Sequence, residues 1–320
     1  METIDSMTQL QPLSGVGSIR KRLQGRVAIV SGAGRGLGRA HALYLASQGA
    51  SVVVNDLGGD VHGVGSDHGP AASVVREIVS IGGDAVASGH DVSDWDQAAA
   101  LIEFAVETFG TLDVLVNNAG ILRDRLFANM TEADWDDVVR VHLKGHAAPT
   151  RHAMAYWRDQ AKSGERVAAS VIHTTSISAF AGNFGQANYT AAKSALIGLS
   201  RVVALEGEKY GVRSNAVSPS ARTRITSAGG PPAEGAEPVN GPDPLDPANV
   251  SPLIGWLAEE RCPANSQVFH VYDSRLIVIA MPTGIHDLRN AARWTPEDLD
   301  REVPGRMLKP PDIHDFVDLP

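Results

Sequence analysis

A doubly wound α/β fold, with a mostly parallel sheet and helices on both faces in a single domain, is what this 320-residue chain predicts, on three observations. Apolar, β-branched runs of strand length recur from residue 26 to residue 273, helix-like segments alternate with them, and the runs are apolar throughout instead of alternating with polar residues. Strands of that kind cannot face water on one side, so a parallel sheet between two helical layers is the economical solution.

The first strand, RVAIVSG (26–32), runs into a turn holding Gly32, Gly34, Gly36 and Gly38, with Arg35 and Leu37 between them, and a helix over 37–48 follows. A glycine-rich turn between strand and helix lets backbone N–H groups and the helix N-terminus approach a pyrophosphate with no Cβ in the way. In this strand–turn–helix setting it reads as a dinucleotide site of the Rossmann type. The second strand, SVVVND (51–56), ends on Asp56, eighteen residues after Gly38. That is close to the separation of about twenty at which a carboxylate holds the adenosine ribose. Such a carboxylate accepts hydrogen bonds from both ribose hydroxyls and repels a 2′-phosphate, which favours NAD over NADP. Arg35 argues mildly the other way, because a cation there can meet a 2′-phosphate.

Helices are then predicted over 72–81, 95–109 and 131–143, and strands over 85–92, 112–120 and 167–176. The helix over 187–209 opens with NYTAAK, in which Tyr189 and Lys193 stand four apart and share a face. That spacing alone fits two neighbouring surface side chains as well as a base with its cationic helper. Strands over 213–219 and 267–273 complete the sheet. Residues 227–247 are dense in Gly and Pro and predict a long loop over the substrate. A single α/β domain is expected over 23–280, between a flexible N-terminal extension (1–22) and a C-terminal extension (281–320).

A net charge of -9 argues against nucleic acid as a partner, since duplex binding needs a concentrated positive surface. The lone Cys262 allows neither an internal disulfide nor a multi-cysteine zinc site and is expected to be structural. No histidine pair has metal-ligand spacing; His62 and His68 are expected in a solvated loop, and no metal is expected. With no apolar run suited to a secretory signal or a membrane span, the expected location is cytoplasmic, with no membrane partner.

SGAGRGLG (31–38), NNAG (117–120) and Tyr189-x-x-x-Lys193 preceded by Ser176, in this order and spacing, resemble the short-chain dehydrogenase/reductase family. VVVNDLGGD, NNAGILRDRLFA, VHLKG and GNFGQANYTAAK bring the chain closer to the (3R)-hydroxyacyl-CoA dehydrogenase domains of peroxisomal multifunctional enzymes, also classed with 17β-hydroxysteroid dehydrogenases. The resemblance covers about residues 22–275 and thins after Ser220. It implies an NAD-dependent oxidation of a secondary alcohol, either a (3R)-hydroxyacyl-CoA or a steroid. It also implies a homodimer or homotetramer, often built through the helix carrying Tyr189, and a separate hydratase or dehydratase as a functional partner.

Residue by residue, it implies that Asp91 and Val92 border the adenine, and that Asn118, Ala119 and Gly120 line the far side of the cofactor. Hydride transfer from an alcohol needs a base for the hydroxyl proton near neutral pH. A free tyrosine is too weak an acid for that unless the phenolate is stabilised by about three pKa units, or roughly 4 kcal/mol. Tyr189 is the expected base, Lys193 its cationic helper and a ligand of the nicotinamide ribose, and Ser176 the residue that orients the substrate oxygen. The family's usual asparagine falls on His142, either a proton relay or a packing residue. Pro219 is followed by Ser220 where the family commonly has glycine, and Thr223 is the candidate contact to the carboxamide. Arg123, Arg125, Arg222 and Arg224 fall on loops where they can meet a CoA phosphate or pair with neighbouring acids. A non-catalytic NAD-binding sensor on the same fold is the alternative of another class, and the presence of all three catalytic residue types weighs against it.

Overall fold

In the computed structural model, which describes residues 21–223, 243–280, 287–289 and 293–304, the valine-rich runs build one eight-stranded sheet. Strand β1 (Val27–Ser31) pairs in parallel with β2 (Ser51–Asn55), and β2 with β3 (Asp84–Ser88). On the other side of β1 lie β4 (Val114–Asn117), β5 (Ala169–Thr174), β6 (Val212–Pro219) and β7 (Val268–Tyr272), all parallel. A final strand, β8 (Arg275–Val278), turns back antiparallel on β7. The order β3-β2-β1-β4-β5-β6-β7-β8 reverses direction between β1 and β4, and ligands of such sheets bind in the crevice that opens there beyond the carboxyl ends of the strands.

Alternate side chains of each strand enter two cores. On one face Val30, Val52, Val54 and Phe269 pack with Leu45 of α1 (Gly36–Ser47), Ile78 of α2 (Gly69–Ser80) and Ile254 and Leu257 of a helix that is α8 in chain order (Ser251–Ala258). On the other, Ile29, Val53, Leu115 and Val171 pack with Leu101 of α3 (Trp95–Phe109), Trp157 of α5 (Gly145–Lys162) and Val203 of α7 (Ala187–Gly207). The short helices α4 (Glu132–Val139), α6 (Ser178–Ala181) and α9 (Pro296–Glu302) complete the described elements. No helix among the described residues is long and apolar enough to cross a membrane.

The parallel sheet with helices on both faces is as expected; several boundaries differ. Strands β3 and β4 stop at Ser88 and Asn117, short of 92 and 120, because the chain must leave the sheet there to line the crevice. The helix expected over 131–143 begins at Glu132, on a capping box made by Thr131 and Asp134, and passes at Arg140–Lys144 through a π-helical turn into α5. Helix α5 itself was not expected. Its inward residues include His146 and Thr150, and Pro149 lies in its second turn, so neither its hydropathy nor its proline marks it as a buried helix. The expected loop over 227–247 and the tail from 281 lie mainly outside the described residues.

Leu115, fully buried at the centre of the sheet, tests this arrangement. Leu115→Ala is expected to lower the unfolding free energy by about 3 kcal/mol, read as a fall in the urea midpoint at unchanged slope.

Candidate active site

The glycine turn is built from close approaches. Gly32 (φ +63) and Gly36 (φ +54) occupy the left-handed region, and a Cβ on Gly32 would lie 2.8 Å from the Ala119 Cα. A Cβ on Gly38 would lie 2.2 Å from the Gly32 carbonyl oxygen, and one on Gly34 would lie 2.8 Å from Asp56 Oδ2. Asp56 Oδ2 accepts from the Gly34 N–H at 2.7 Å, so the carboxylate just beyond β2 and the turn touch directly. The N-terminus of α1 has no side-chain cap and no acid in its first turn, unlike α3 and α4, which are capped by Asp94 and Thr131. Free N–H groups on a 12-residue helix behind a turn with glycine at every second position suit an anion, so these residues fit the pyrophosphate of a dinucleotide. Arg35 occupies the N-cap position, and Leu37, in the first turn of α1, packs against the core.

The segment after β4 is zipped onto this turn. Ser31 Oγ accepts from the backbone N–H groups of Asn118 (2.9 Å) and Ala119 (3.2 Å), and Asn118 Nδ2 donates to the Ser31 carbonyl at 3.0 Å. Gly120 has no room for a side chain, because a Cβ would lie 2.4 Å from His142 Cε1. Nε2 of the buried His142 lies 2.7 Å from the Ile121 carbonyl oxygen and 3.1 Å from its N–H, and the ring meets Tyr189 edge-on at 5.0 Å. At the outer end of β3, Asp91 Oδ1 accepts from Ser93 N (2.8 Å) and Oγ (2.6 Å), while Val92 is buried. On the far side, Pro219 ends β6 and the Thr223 methyl lies over the Gly36 position. Ser220, in the family's glycine place, donates its N–H to the Val271 carbonyl at 2.8 Å.

Ser176 stands just beyond β5, Tyr189 in the first turn of α7 and Lys193 one turn later. Ser176 Oγ accepts from the Ser178 N–H at 3.2 Å and lies close to the Tyr189 phenol. Burial pushes the Tyr189 phenol above its ordinary value; the nearby Ser176 hydroxyl opposes that and Asp124 adds to it. Lys193 is 2 % exposed, and its Nζ donates to the Thr174 carbonyl at 2.5 Å and lies 5.6 Å from the centre of the Tyr189 ring. Burial lowers its pKa to about 7. Burial, followed by the Lys193 charge, also holds the His142 imidazole well below its usual value, against the pull of the Ile121 backbone.

Residues not singled out from sequence hold the geometry. Asn188, fully buried, donates to the carbonyls of Asp134 (2.8 Å) and Arg123 (3.2 Å) and accepts from the Tyr189 N–H. Thr175 Oγ1 donates to the Lys193 carbonyl at 2.8 Å. The only sequence signal for Asn188 is a polar residue at the start of an otherwise small and apolar helix face. The loop after Asp56 reaches across to the same segment: Leu122 N–H donates to the Val61 carbonyl (3.0 Å), and the exposed His62 bonds the Leu122 carbonyl (3.0 Å). His68 is exposed in the same loop. Arg123, Arg125 and Arg222 each pair with a carboxylate, of Asp137, Asp134 and Asp243, at 3.2, 2.8 and 3.3 Å. Arg224 lies outside the described residues.

A family model described as short chain dehydrogenase matches residues 26–228. The mouse peroxisomal multifunctional enzyme type 2 is 43% identical over 250 residues, covering 78% of this chain but 32% of that protein, so the chain spans about a third of that relative's length. A hydroxyacyl-CoA dehydrogenase of Mycobacterium tuberculosis is 42% identical over 269 residues, covering 81% of each chain. Among solved structures, a short chain dehydrogenase from Mycobacterium avium superposes with a TM-score of 0.77 at 47% identity, covering 87% of this chain and 93% of that one.

Two outcomes follow from this geometry. Gly38→Ala is expected to weaken dinucleotide binding at least about tenfold in a fluorescence titration, because its methyl group meets the Gly32 carbonyl. Lys193 is protonated more readily unfolded (10.5) than folded (about 7), so at and below pH 7 the native state carries the full cost of its buried charge. Lys193→Met is therefore expected to raise stability by about 3 kcal/mol at pH 6, with the gain shrinking as pH rises from 7 towards 10 in denaturant melts.

Proposed function

The chain belongs to the short chain dehydrogenase family, and on that premise we propose that it oxidises a (3R)-3-hydroxyacyl-CoA to the 3-oxoacyl thioester with NAD as the acceptor. The observation that carries the reading is the buried Lys193 ammonium 5.6 Å from the centre of the Tyr189 ring, with Ser176 close to the same phenol, beside a glycine turn whose neighbouring carboxylate is Asp56. When bound, the nicotinamide supplies the hydride acceptor. Gly32, Gly34, Gly36, Gly38 and the N-terminus of α1 hold the pyrophosphate, Asp56 the adenosine ribose, and Asn118–Gly120, Pro219 and Thr223 the nicotinamide half.

Tyr189 Oη takes the hydroxyl proton while Ser176 Oγ donates a hydrogen bond to the same substrate oxygen and orients it. The interior alone holds Tyr189 too weakly acidic for this, so the positive charge on Lys193 is needed to favour the phenolate. The short π-helical turn brings His142 edge-on to the Tyr189 ring, which limits where that ring can move.

Support for the acyl-CoA class comes from the Mycobacterium tuberculosis relative, named a hydroxyacyl-CoA dehydrogenase, and from the rim of the site. The Arg125 N–H donates to the Gly185 carbonyl at 2.8 Å, and the exposed Leu126, Phe127 and Phe184 flank that bond. These are apolar surfaces suited to an acyl chain, with Arg123 and Arg125 nearby for a phosphate. On the outer face of α7, Val202 and Leu205 are exposed, and we assign them to a contact between copies in a homo-oligomer.

Nicotinamide reduction followed with NAD or NADP, against (3R)- and (3S)-hydroxyacyl-CoA and a 17β-hydroxysteroid, tests the reading. The expected result is turnover of the 3R thioester with NAD; turnover of the steroid alone, or a preference for NADP, overturns the substrate or the role of Asp56. Tyr189→Phe is expected to lower kcat by about 10³-fold while the dissociation constant for NAD stays within about threefold, and unchanged turnover refutes Tyr189 as the base.

A further inference from the structure

On the Tyr189 side of the crevice, the loop after β4 and the loop that leads into α7 are stitched together residue by residue. The Arg125 N–H donates to the Gly185 carbonyl at 2.8 Å, and Asn188 Nδ2 donates to the Arg123 carbonyl at 3.2 Å. Between these bonds, Gln186 Nε2 donates to Asp124 Oδ2 at 2.8 Å, across 62 positions of the chain. The flanking bonds each end on a main-chain carbonyl, so the loops stay joined when the Gln186 side chain is changed. The middle bond joins two side chains, and Asp124 is exposed.

Gln186 stands at the N-cap of α7, where a short side chain such as Ser, Thr, Asp or Asn ordinarily accepts from the first turn. Its longer side chain makes no capping bond and reaches across the crevice instead. Gln186 Oε1 accepts from Asn183 Nδ2 at 3.0 Å and from Ser178 Oγ, at the start of α6, at 3.5 Å. The carboxylate can only accept, so the amide has one orientation that serves every partner: nitrogen towards Asp124, oxygen towards the donors. The Ser178 N–H in turn donates to Ser176 Oγ at 3.2 Å. That bond occupies a lone pair of the Ser176 hydroxyl and leaves its hydrogen for the substrate oxygen. A connected path of hydrogen bonds therefore runs from the exposed Asp124 through Gln186 and Ser178 to Ser176.

We propose that Asp124 and Gln186 form a latch across the mouth of the site, and that Gln186 is a positioning residue that sets the Ser176 hydroxyl through Ser178. The inference rests on the reading of Ser176 as the group that orients the substrate oxygen. The neighbouring cations are already engaged, Arg125 with Asp134 and Arg123 with Asp137, which leaves Asp124 to Gln186. Opening the latch loosens the Ser176 turn and leaves α7 in place, because Asn188 still holds the Asp134 carbonyl and Thr175 the Lys193 carbonyl.

The test exploits the fixed orientation of the amide. Gln186→Glu sets a carboxylate against Asp124 and breaks the latch, whereas adding Asp124→Asn restores a donor and an acceptor with the roles exchanged. Two readouts are followed in both proteins: hydrogen exchange of the Ser178 amide by NMR, with the Leu115 amide as internal reference, and steady-state turnover of a (3R)-hydroxyacyl-CoA. Gln186→Glu is expected to speed Ser178 exchange about tenfold with Leu115 unchanged. It is expected to lower kcat about thirtyfold with KM within about threefold, because the loss falls on orientation in the transition state. The double variant is expected to bring both readouts back to within about threefold of the wild type. Unchanged Ser178 exchange in Gln186→Glu overturns the proposal, as does a kcat that stays at the wild-type value or is not recovered in the double variant. If Gln186→Glu does not fold, Asp124→Ala, at an exposed position, cuts the same bond and is read by its exchange and its kcat. Failure of the wild type to turn over any hydroxyacyl-CoA bears on the substrate reading and leaves the exchange measurements to decide the latch.

Discussion

The Gly32–Ala119 approach is the contact on which the rest of the site depends. The two strands that diverge at the switch point end in segments with no room between them, and the Ser31 hydroxyl and the Asn118 amide lock one to the other. Because that junction is fixed, the uncapped N-terminus of α1 and Gly120 have fixed places. Gly120 in turn admits the His142 ring, whose edge bounds Tyr189. A crevice that a doubly wound sheet opens by topology alone becomes a site with one geometry only through this contact.

Lys193 imposes the second constraint. A cation in the interior without an anion is costly, and the described structure answers with the Thr174 carbonyl and the Tyr189 ring, no carboxylate being paired with Lys193 among the described residues. A carboxylate would settle Lys193 as a permanent ion pair and blunt its influence on the phenol. Without such a pair its charge stays responsive near neutral pH, as the proposed role beside Tyr189 requires. Stability is given up at this position in favour of chemistry.

What could be read from the sequence divides along physical lines. The glycines at close approaches and the Tyr189–Lys193 pairing were legible because backbone clearance and helix geometry each demand a residue type at a definite separation, and the position of Asp56 beside the glycine turn followed from the strand it ends. Strand existence was legible from apolar runs, but the ends of β3 and β4 were not, since their last residues stay apolar or amide-rich after the ladder stops. Helix α5 was missed for the same reason that its interior is unusual. His146 and Thr150 point into the protein to meet Asn117 and His173, and polar residues facing a polar interior leave no hydrophobic stripe. Nothing in a single sequence distinguishes a buried histidine from an exposed one, so that cluster is visible only in three dimensions.

The loop that follows Asp56 joins two regions that a sequence diagram keeps apart. It is anchored at one end by the Asp56 carboxylate, through the Gly58 N–H, and through Val61 and His62 it carries Leu122 on the substrate side. A substitution in that loop therefore also bears on the placement of the Leu122 segment. A change made beside Asp56 is thereby felt, through two hydrogen bonds, in a segment some sixty residues further along the chain.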